Sequence, residues 1–305
     1  MRVVVLAGGL GGSRFARALA ETLPPRDVTV VGNVGDDVEV SGLHVSPDLD
    51  TILYTLAGVL DEDRGWGRAG ETWNAREAAT ELGAETWFQL GDRDLGLHLV
   101  RTEALRRGEP LSTVTARLAR AFGVEATLLP ATDDHLRTWV ATPAGEFPFQ
   151  EWFVMRQHRD EVDAVRFEGA EDARAAPGVL EALGTADLIA IAPSNPFLSI
   201  GPILAVAGIR DAVENRRVPA VAVSPLIGGR TVRGPADRML ARLAGGTGPA
   251  QVASCYKGLI DALVIDEADS DEADEPEIRT VVTSTFMRDA DARRRLAEAV
   301  LGVPV

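Results

Sequence analysis

The feature that most constrains this chain is its opening, an apolar run that leads directly into a glycine-rich loop. Arg2–Leu6 contains three valines in succession, which indicates a strand buried on both faces of a parallel sheet. The loop Ala7–Ser13 (AGGLGGS) follows, then a helical pattern that stops at Pro24-Pro25, then a second apolar run at Val28–Val31. Strand–loop–helix–strand units are right-handed and parallel, so the sequence predicts an α/β sheet.

The rest of the chain continues this alternation. Further buried strands are predicted at Ala186–Ile191, Pro219–Val223, Ala262–Ile265 and Arg279–Thr283, and helices at Asn74–Leu82, Leu95–Arg107, Ser112–Phe122 and Asp289–Leu301. Between about residues 127 and 170 the pattern is that of β-hairpins, with the pieces RTWVAT and FPFQEWFV. We therefore expect one domain over residues 1–305, with a Rossmann-like, doubly wound, mainly parallel sheet and a smaller β-hairpin and helical subdomain inserted at about 127–170.

Charge and composition exclude several classes of protein. The net charge of −15 argues against non-specific nucleic-acid binding, which needs a basic face. No apolar run approaches the roughly 20 residues of a membrane span, and the N-terminal run is too short for a signal peptide. Cys255 is the only cysteine, so an intrachain disulfide is impossible. We expect a cytoplasmic protein with small-molecule partners, in which the acidic stretch Asp266–Glu277 is a solvated surface loop.

The glycine loop favours a nucleotide phosphate as ligand. Glycines let the backbone approach an anion, and the following helix offers free N–H groups and the positive end of its dipole. Gly9-Leu10-Gly11 resembles the start of a G-x-G-x-x-G fingerprint, but Arg14 stands at the third glycine position. The loop lacks the Lys-Ser/Thr pair of a Walker A motif. A tight turn without a ligand is the alternative, and the loop does not identify the nucleotide.

Polar residues at two other places suggest ligand binding. Asn33 and Asp36 follow the second strand, where a dinucleotide-binding protein places a ribose contact, although turn chemistry explains them equally well. Asp48 and Asp50 begin a helix, so either can cap it, and together they form a reasonable Mg²⁺ site. Gly91–Asp94 (GDRD) repeats this arrangement with an added cation.

The loops after the later strands complete the candidate site. Pro193–Pro196 (PSNP) follows a buried strand, at the end of the sheet where open α/β proteins bind ligands, and Ser224 follows the next strand. The four histidines lack the spacing of a metal site. The tryptophans are more typical of a core than of a ligand wall, although four of them could form one: Trp66, Trp73, Trp87 and Trp152.

Taken together, eight segments identify a known family. AGGLGGSRF, VGNVGDD, SPDLDTILYTLAG, LGDRDLGLHLVRT, LLPATDD, FQEWFV, IAPSNPFLSIGPIL and VSPLIGG occur in this order. The set closely resembles the 2-phospho-L-lactate transferase family of coenzyme F-420 biosynthesis, including its actinobacterial phosphoenolpyruvyl-transferring members. The resemblance runs from residue 1 to about residue 270. GWG at 65–67 and ETW at 71–73 favour the phosphoenolpyruvyl donor.

The resemblance implies an enzyme with a defined reaction. A guanosine diphosphate (GDP)-activated three-carbon acid, either 2-phospholactate or phosphoenolpyruvate, meets the deazaflavin Fo. The terminal hydroxyl of the ribityl chain attacks the β-phosphorus of the donor, and GMP leaves. Mg²⁺ is the implied cofactor and a homodimer the implied assembly.

The resemblance also assigns roles to residues. Donor-nucleotide binding falls to Gly8, Gly9, Gly11, Gly12, Asn33, Ser194, Asn195, Pro196 and Ser224. Binding of Fo falls to Asp48, Asp50, Thr51, Gln89, Asp92 and Arg93. Asp48 and Asp50 are the implied catalytic and metal-binding pair, with Asp50 the first choice for binding Mg²⁺ or accepting the proton. Some archaeal relatives carry lysine at the position of Gln89, which puts a charge contact there in doubt.

Two other functions remain as alternatives. A nicotinamide-dependent oxidoreductase fits the opening strand, loop and helix, but Arg14 and the paired aspartates count against it. A non-catalytic, nucleotide-sugar-binding regulator of the gluconeogenesis-factor type fits the glycine loop and the PSNP loop. The complete set of eight segments favours the transferase.

Overall fold

The computed structural model describes residues 1–274 and 276–303. The strands are β1 Val3–Ala7, β2 Val28–Gly32, β3 Val38–Val40, β4 Leu43–Val45, β5 Thr127–Pro130, β6 Arg137–Thr142, β7 Gly145–Pro148, β8 Ala164–Glu168, β9 Leu188–Ile191, β10 Ala220–Val223, β11 Leu226–Ile227, β12 Arg230–Thr231, β13 Ala262–Ile265 and β14 Arg279–Val282. The helices are α1 Gly9–Thr22, α2 Pro47–Leu56, α3 Asn74–Glu81, α4 Asp92–Arg106, α5 Leu111–Ala121, α6 Val179–Thr185, α7 Gly201–Ala205, α8 Ile209–Glu214, α9 Ala236–Leu243, α10 Pro249–Cys255 and α11 Ala290–Leu301.

Seven of these strands form a central sheet in the order β5-β2-β1-β9-β10-β13-β14. Every neighbouring pair is parallel, including the β1–β2 pair that opens the chain. From β1 the chain builds outward to β2 and β5, then returns to the other side of β1 with β9. This order is that of a doubly wound Rossmann-like sheet and confirms the predicted fold class. The reversal between β1 and β9 opens a crevice at the carboxyl ends of those strands.

The strand sequences explain why the sheet lies in the centre. All residues of β1, β9, β10 and β13 are buried, as their unbroken apolar runs predict for strands covered on both faces. Helix α1 packs between α2 and α11 on one face of the sheet. None of the helices in the described part of the chain is long and apolar enough to cross a bilayer.

The inserted region differs in part from its prediction. Thr127–Pro130 is an edge strand of the central sheet, and the antiparallel strands β6, β7 and β8 form a separate small sheet. The piece FPFQEWFV is a strand only at its start, because Glu151–Met155 forms a π-helical turn. That turn carries Trp152 into the interior, where it is fully buried. A continued strand was the wrong interpretation of this segment.

The acidic stretch Asp266–Glu277 is mostly at the surface, as its composition suggests, but two of its acids are buried. Asp266 and Asp269 are 7% and 6% exposed, on a 3-10 helix over Glu267–Glu272. Asp269 accepts hydrogen bonds from the backbone N–H groups of Gly228 and Gly229, at 3.1 and 2.8 Å. The Asp269 carboxylate therefore satisfies backbone donors and holds the turn between β11 and β12 in place.

The small core of the insertion is completed by the main body. Three residues of the insertion form this core: Val140, Trp152 and Val162. They pack against Leu198, in the turn that follows β9, and against Met239 on α9. The insertion therefore depends on side chains of the sheet domain to complete its small core.

This shared core predicts that the insertion and the sheet unfold together. We expect Trp152→Ala to lower the free energy of unfolding by about 3–5 kcal/mol, because it leaves a cavity and an unpaired carbonyl at Asp160. Urea titrations followed by circular dichroism and by tryptophan fluorescence measure it. We expect the two signals to change together, in the wild-type protein and in Trp152→Ala alike. A separate early transition in the variant would contradict joint unfolding of the insertion and the sheet.

Candidate functional site

A cleft of about 560 Å³ lies at the carboxyl edge of the central sheet. The loops that follow β1, β2, β9 and β10 contribute to its wall, together with the start of α2. Because parallel strands present their carboxyl ends at one edge, segments that are more than 180 residues apart meet there. The hydroxyl of Ser194, after β9, donates to the carbonyl oxygen of Gly8, after β1, at 2.8 Å.

The glycine loop packs directly against the loop that follows β9. A methyl group added at Gly11 would lie 2.5 Å from the carbonyl oxygen of Pro193, so a side chain at this position displaces one of the two loops. The backbone N–H of Gly9, the first residue of α1, donates to Oδ1 of Asp48 at 2.7 Å. A carboxylate thus already occupies part of the electropositive helix N-terminus.

Asp48 lies in the most strained electrostatic position of the cleft. Its carboxylate is 8% exposed and accepts hydrogen bonds from Gly9 and, at 3.0 Å, from Nδ2 of Asn33. Burial outweighs these bonds and raises the pKa of Asp48 to about 6. Burial and the charge of Asp48 also raise the pKa of Asp36 well above its usual value. The two carboxylates therefore need a proton or a cation between them at neutral pH.

Asp50, two residues further on, has the opposite surroundings. Both of its oxygens accept hydrogen bonds from the guanidinium of Arg101, and Nη1 lies 2.9 Å from Oδ2. Arg101 is 1% exposed, and although burial opposes its charge, the charge of Asp50 keeps the pKa of Arg101 above its usual value. Asp50 is therefore held as one partner of a buried, bidentate ion pair.

A second carboxylate joins this pair through a histidine. The ring of His98 lies between Asp50 and Asp94, with Nδ1 at 3.8 Å from Asp50 and Nε2 at 3.4 Å from Asp94. The hydroxyl of Tyr54 donates to Oδ1 of Asp94 at 2.5 Å. Burial opposes ionisation of Asp94, but the contact with His98 and the hydrogen bond from Tyr54 hold its pKa below its usual value. All four side chains line the cleft.

Aromatic side chains form the apolar part of the wall. Phe149 and Phe153 are stacked, with ring centroids 5.1 Å apart. Trp66 and Trp87 line the cleft, whereas Trp73 packs edge-on against Trp66 and Trp152 is buried in the insertion core. Two of the four tryptophans named from the sequence therefore reach the cleft.

The structure brings most of the sequence-predicted residues together. Those that line the cleft are Gly8, Gly9, Gly11, Asn33, Asp48, Asp50, Thr51, Gln89, Ser194, Asn195 and Ser224. Gly12 and Pro196 lie behind this wall. Gly12 packs under Ser194, where a methyl group would lie 2.6 Å from its Oγ. Pro196 is buried in the first position of a π-helical turn, whose backbone N–H groups are capped by Asn195.

Asp92 and Arg93 lie outside the cleft wall. Asp92 accepts hydrogen bonds from Thr72, Asn74 and Ala75, and so caps α3. The bond from the Thr72 hydroxyl, followed by those from Ala75 and Asn74, lowers the pKa of Asp92 to about 2. The side chain of Arg93 is exposed and reaches the carbonyl of Ala69 at 3.4 Å. Both side chains therefore have structural contacts with the segment from Ala69 to Ala75.

Two side chains in or behind the cleft wall carried no signal in the sequence. Arg101, buried behind Asp50, lies in the middle of α4 and resembles any helical arginine, and His98, which lines the cleft, lacked a recognisable ligand spacing. The spacing of Asp94, His98 and Arg101 at i, i+4 and i+7 is the signal that could have found them, since it places three polar groups on one buried helix face.

The carboxylates that line the cleft meet the needs of a divalent cation only in part. No cluster of three or more His, Cys, Asp or Glu ligands occurs among residues 1–274 and 276–303. Asp48 and Asp36 do offer buried, mutually repelling carboxylates, which a cation stabilises. Mg²⁺ commonly takes one or two carboxylates and completes its shell with phosphate oxygens and water. The residues therefore fit Mg²⁺ as an ion shared with a phosphate ligand.

The family comparison and the curated relatives agree on one family. The family described as "2-phospho-L-lactate transferase CofD" matches residues 3–302. A phosphoenolpyruvate transferase of Streptomyces griseus subsp. griseus is 46% identical over 99% of this chain and 98% of its own length. The phosphoenolpyruvate transferase of Mycolicibacterium smegmatis is 39% identical, again over 99% of this chain and 98% of its own length.

A solved structure shares the fold. A UPF0052 family protein from Bacillus halodurans superposes with a TM-score of 0.66 at 17% identity, over 98% of this chain and 99% of that one. At this identity the likeness concerns the fold alone.

The Asp50–Arg101 pair predicts a large effect of removing one partner. We expect Arg101→Met to destabilise the protein by about 3–5 kcal/mol, because it leaves a buried carboxylate without its cation. Urea unfolding measures the loss. The matched control is Arg210→Met, which breaks the exposed Arg210–Glu214 pair on α8 and is expected to cost about 0–1 kcal/mol. Equal losses in both variants would contradict the importance of the buried pair.

The raised pKa of Asp48 predicts a stability that depends on pH. The folded state keeps this proton up to about pH 6, while the unfolded chain releases it near 3.8, so stability falls as pH rises between these values. Between pH 5 and 7 the ionisation of Asp48 lowers the free energy of unfolding of the wild-type protein by roughly 1 kcal/mol, and Asp48→Asn removes this pH-dependent loss. Urea unfolding of both proteins with a chelator present tests this. A stability difference that is constant with pH would contradict it.

Proposed function

The chain belongs to the 2-phospho-L-lactate transferase CofD family and is a transferase, and from that premise we propose its substrates and the roles of its residues. The protein transfers a phospho-three-carbon-acid group from a GDP-activated donor to the ribityl hydroxyl of the deazaflavin Fo. GMP is released, and the acid is 2-phospholactate or phosphoenolpyruvate. The relatives named phosphoenolpyruvate transferase favour phosphoenolpyruvate.

One observation carries this proposal. The glycine loop, which is suited to phosphates, contacts a carboxylate directly, because the N–H group of Gly9 donates to Asp48. The pKa of that carboxylate is raised to about 6. Phosphoryl transfer needs these two elements side by side, since it depends on positioning the phosphate and on receiving the proton of the attacking hydroxyl. A nicotinamide oxidoreductase or a binding-only regulator has no use for the buried carboxylates beside the loop.

On the donor side, the phosphates lie at the first turn of α1. Leu10 and Gly11 line this part of the cleft, and Ser194 fixes the loop beside them by donating to the carbonyl of Gly8. Asn33, Asn195 and Ser224 contact the remainder of the nucleotide, and Gly8, Gly12 and Pro196 shape the loops from behind. The helix dipole and the aimed donors stabilise the diphosphate without a lysine.

On the acceptor side, Asp48 takes the proton. The hydroxyl oxygen of Fo forms a bond to the β-phosphorus as the bond from that phosphorus to the oxygen of GMP breaks, and the hydroxyl proton passes to the carboxylate. A pKa of about 6 leaves Asp48 ionised at neutral pH and still basic enough for this role. The sequence made Asp50 the first choice for binding Mg²⁺ or accepting the proton. Because Arg101 engages both of its oxygens, we propose instead that Asp50 orients the ribityl chain.

The remaining Fo contacts come from both walls of the cleft. Thr51 and Gln89 contact the ribityl chain, and Asp92 and Arg93 keep the segment that carries Gln89 in place from outside the wall. Because both oxygens of Asp50 accept hydrogen bonds from Arg101, Mg²⁺ would be held by Asp48 and Asp36, with phosphate oxygens and water, rather than by the pair Asp48 and Asp50 that the resemblance implies. The ion would neutralise the charge that develops on the phosphates.

We further propose a cytoplasmic homodimer. Leu99 and Val100, adjacent on α4, are 58% and 46% exposed and provide an apolar surface for a second copy. Analytical ultracentrifugation at micromolar concentration tests the assembly, and a monomer under those conditions would contradict it.

Release of GMP tests the proposed reaction. The protein is incubated with Fo, Mg²⁺ and each GDP-linked acid, and the product is identified by its mass. We expect a phosphodiester of Fo with one acid and an equal amount of GMP. Asp48→Asn should lower kcat by about 10² or more, the usual range for loss of a proton-transferring group. Asp50→Asn should also lower kcat, because it loses the orientation of the ribityl chain. Asp291→Asn, exposed on α11, is the control.

Two results would contradict the proposal. The first is no GMP release with any donor, together with tight binding of a nucleotide sugar, which supports the regulator. The second is unchanged turnover in Asp48→Asn, which removes this residue from proton transfer.

A further inference from the structure

Three arginines line the cleft beside the glycine loop, and two of them already have acidic partners. Arg14, on α1, donates from Nη2 to Glu62 at 2.6 Å. Arg64 donates from Nε and Nη2 to one oxygen of Asp61, at 3.0 and 2.6 Å. Their charges are therefore balanced within the protein. The third is Arg233, in the turn between β12 and α9.

Arg233 contacts neutral groups. Its Nη1 and Nη2 donate to the backbone carbonyls of Arg64 and Asp63, at 2.7 and 3.2 Å. No carboxylate lies within 4.0 Å of its guanidinium in the described part of the chain. A guanidinium has five N–H donors, so two carbonyls leave the others available. The contacts fix the plane of the side chain and leave its charge without a counter-ion.

The neighbouring loop is shaped around this side chain. A methyl group added at Gly65 would lie 2.0 Å from Nη1 of Arg233 and 2.9 Å from Cδ2 of Leu10. Leu10 belongs to the glycine loop, so Arg233 lies immediately beside the proposed diphosphate site. Its two hydrogen bonds also join the turn after β12 to the loop after α2.

The cleft is lined by acids as well as by these arginines. Four aspartates line it: Asp36, Asp48, Asp50 and Asp94. Of these, Asp50 has a full cationic partner in Arg101. An anionic group of a substrate is repelled from these acids and stabilised beside an unpaired guanidinium. A second anionic group of the donor is therefore most stable beside Arg233.

We propose that Arg233 determines donor specificity by binding the carboxylate of the three-carbon acid. The inference rests on the proposed function, in which the donor has a diphosphate and one further anionic group. The N–H groups of the glycine loop serve the diphosphate, and the carboxylate remains. A planar guanidinium matches a carboxylate with two parallel N–H···O bonds, and its charge strengthens them.

A pair of donors that differ only in the carboxylate tests this. GDP-linked lactate carries the group, and the GDP ester of 2-propanol replaces it with a methyl group. Calorimetry gives the Kd of each for the wild-type protein and for Arg233→Gln. We expect the variant to bind GDP-linked lactate about tenfold or more weakly, and to bind the 2-propanol ester as the wild-type protein does. Arg233→Lys keeps the charge without the fork and should recover part of the preference.

Arg238→Gln is the matched control. Arg238 also donates to a backbone carbonyl, that of His158, but it lies outside the large cleft. This control removes the same charge and should leave both affinities unchanged. An unaltered Kd for GDP-linked lactate in Arg233→Gln, or equal weakening of both esters, would overturn the carboxylate contact. Absence of GMP release by the wild-type protein with Fo contradicts the proposed function instead, so the two failures are distinguishable.

Discussion

The reversal of strand order between β1 and β9 is the constraint on which the site depends. The chain lays down β1, β2 and β5 in one direction and then returns to pair β9 with the free edge of β1. Only this arrangement brings the glycine loop against the Pro193–Pro196 loop, with the carbonyl of Pro193 too close to Gly11 for any side chain. The buried valines and isoleucines of these strands thus determine where the polar loops meet.

The second organising principle is the unequal treatment of similar acids. Asp48 and Asp50 are two residues apart and both are buried, yet Arg101 compensates one and leaves the other with a pKa raised to about 6. Environments that set two carboxylates apart in this way are typical of sites that need one fixed charge and one proton acceptor. Arg14, Arg64 and Arg233 line the same cleft as these acids, so both signs of charge are available to a ligand.

Local patterns predicted the sheet well and the side-chain partners poorly. Apolar runs located six of the seven strands of the central sheet to within two residues, because a strand covered on both faces has little freedom in composition. The edge strand β5 was assigned to the insertion instead. The loops after those strands were predicted to lie together at one edge of the sheet, and they line a common cleft there. The partners of Asp50 and Asp92 were not, since Arg101 and Asn74 reach them only through tertiary packing. The buried acids at 266 and 269 were misjudged because composition does not show which backbone donors a carboxylate will satisfy.

A crystal structure of the protein with GDP and Fo tests the central claim most directly. The β-phosphate oxygens should lie within hydrogen-bonding distance of the N–H groups of Leu10 and Gly11, with the ribityl hydroxyl of Fo beside Asp48. A diphosphate bound away from the glycine loop, or Fo in a position that keeps its hydroxyl from both the phosphate and Asp48, would contradict it.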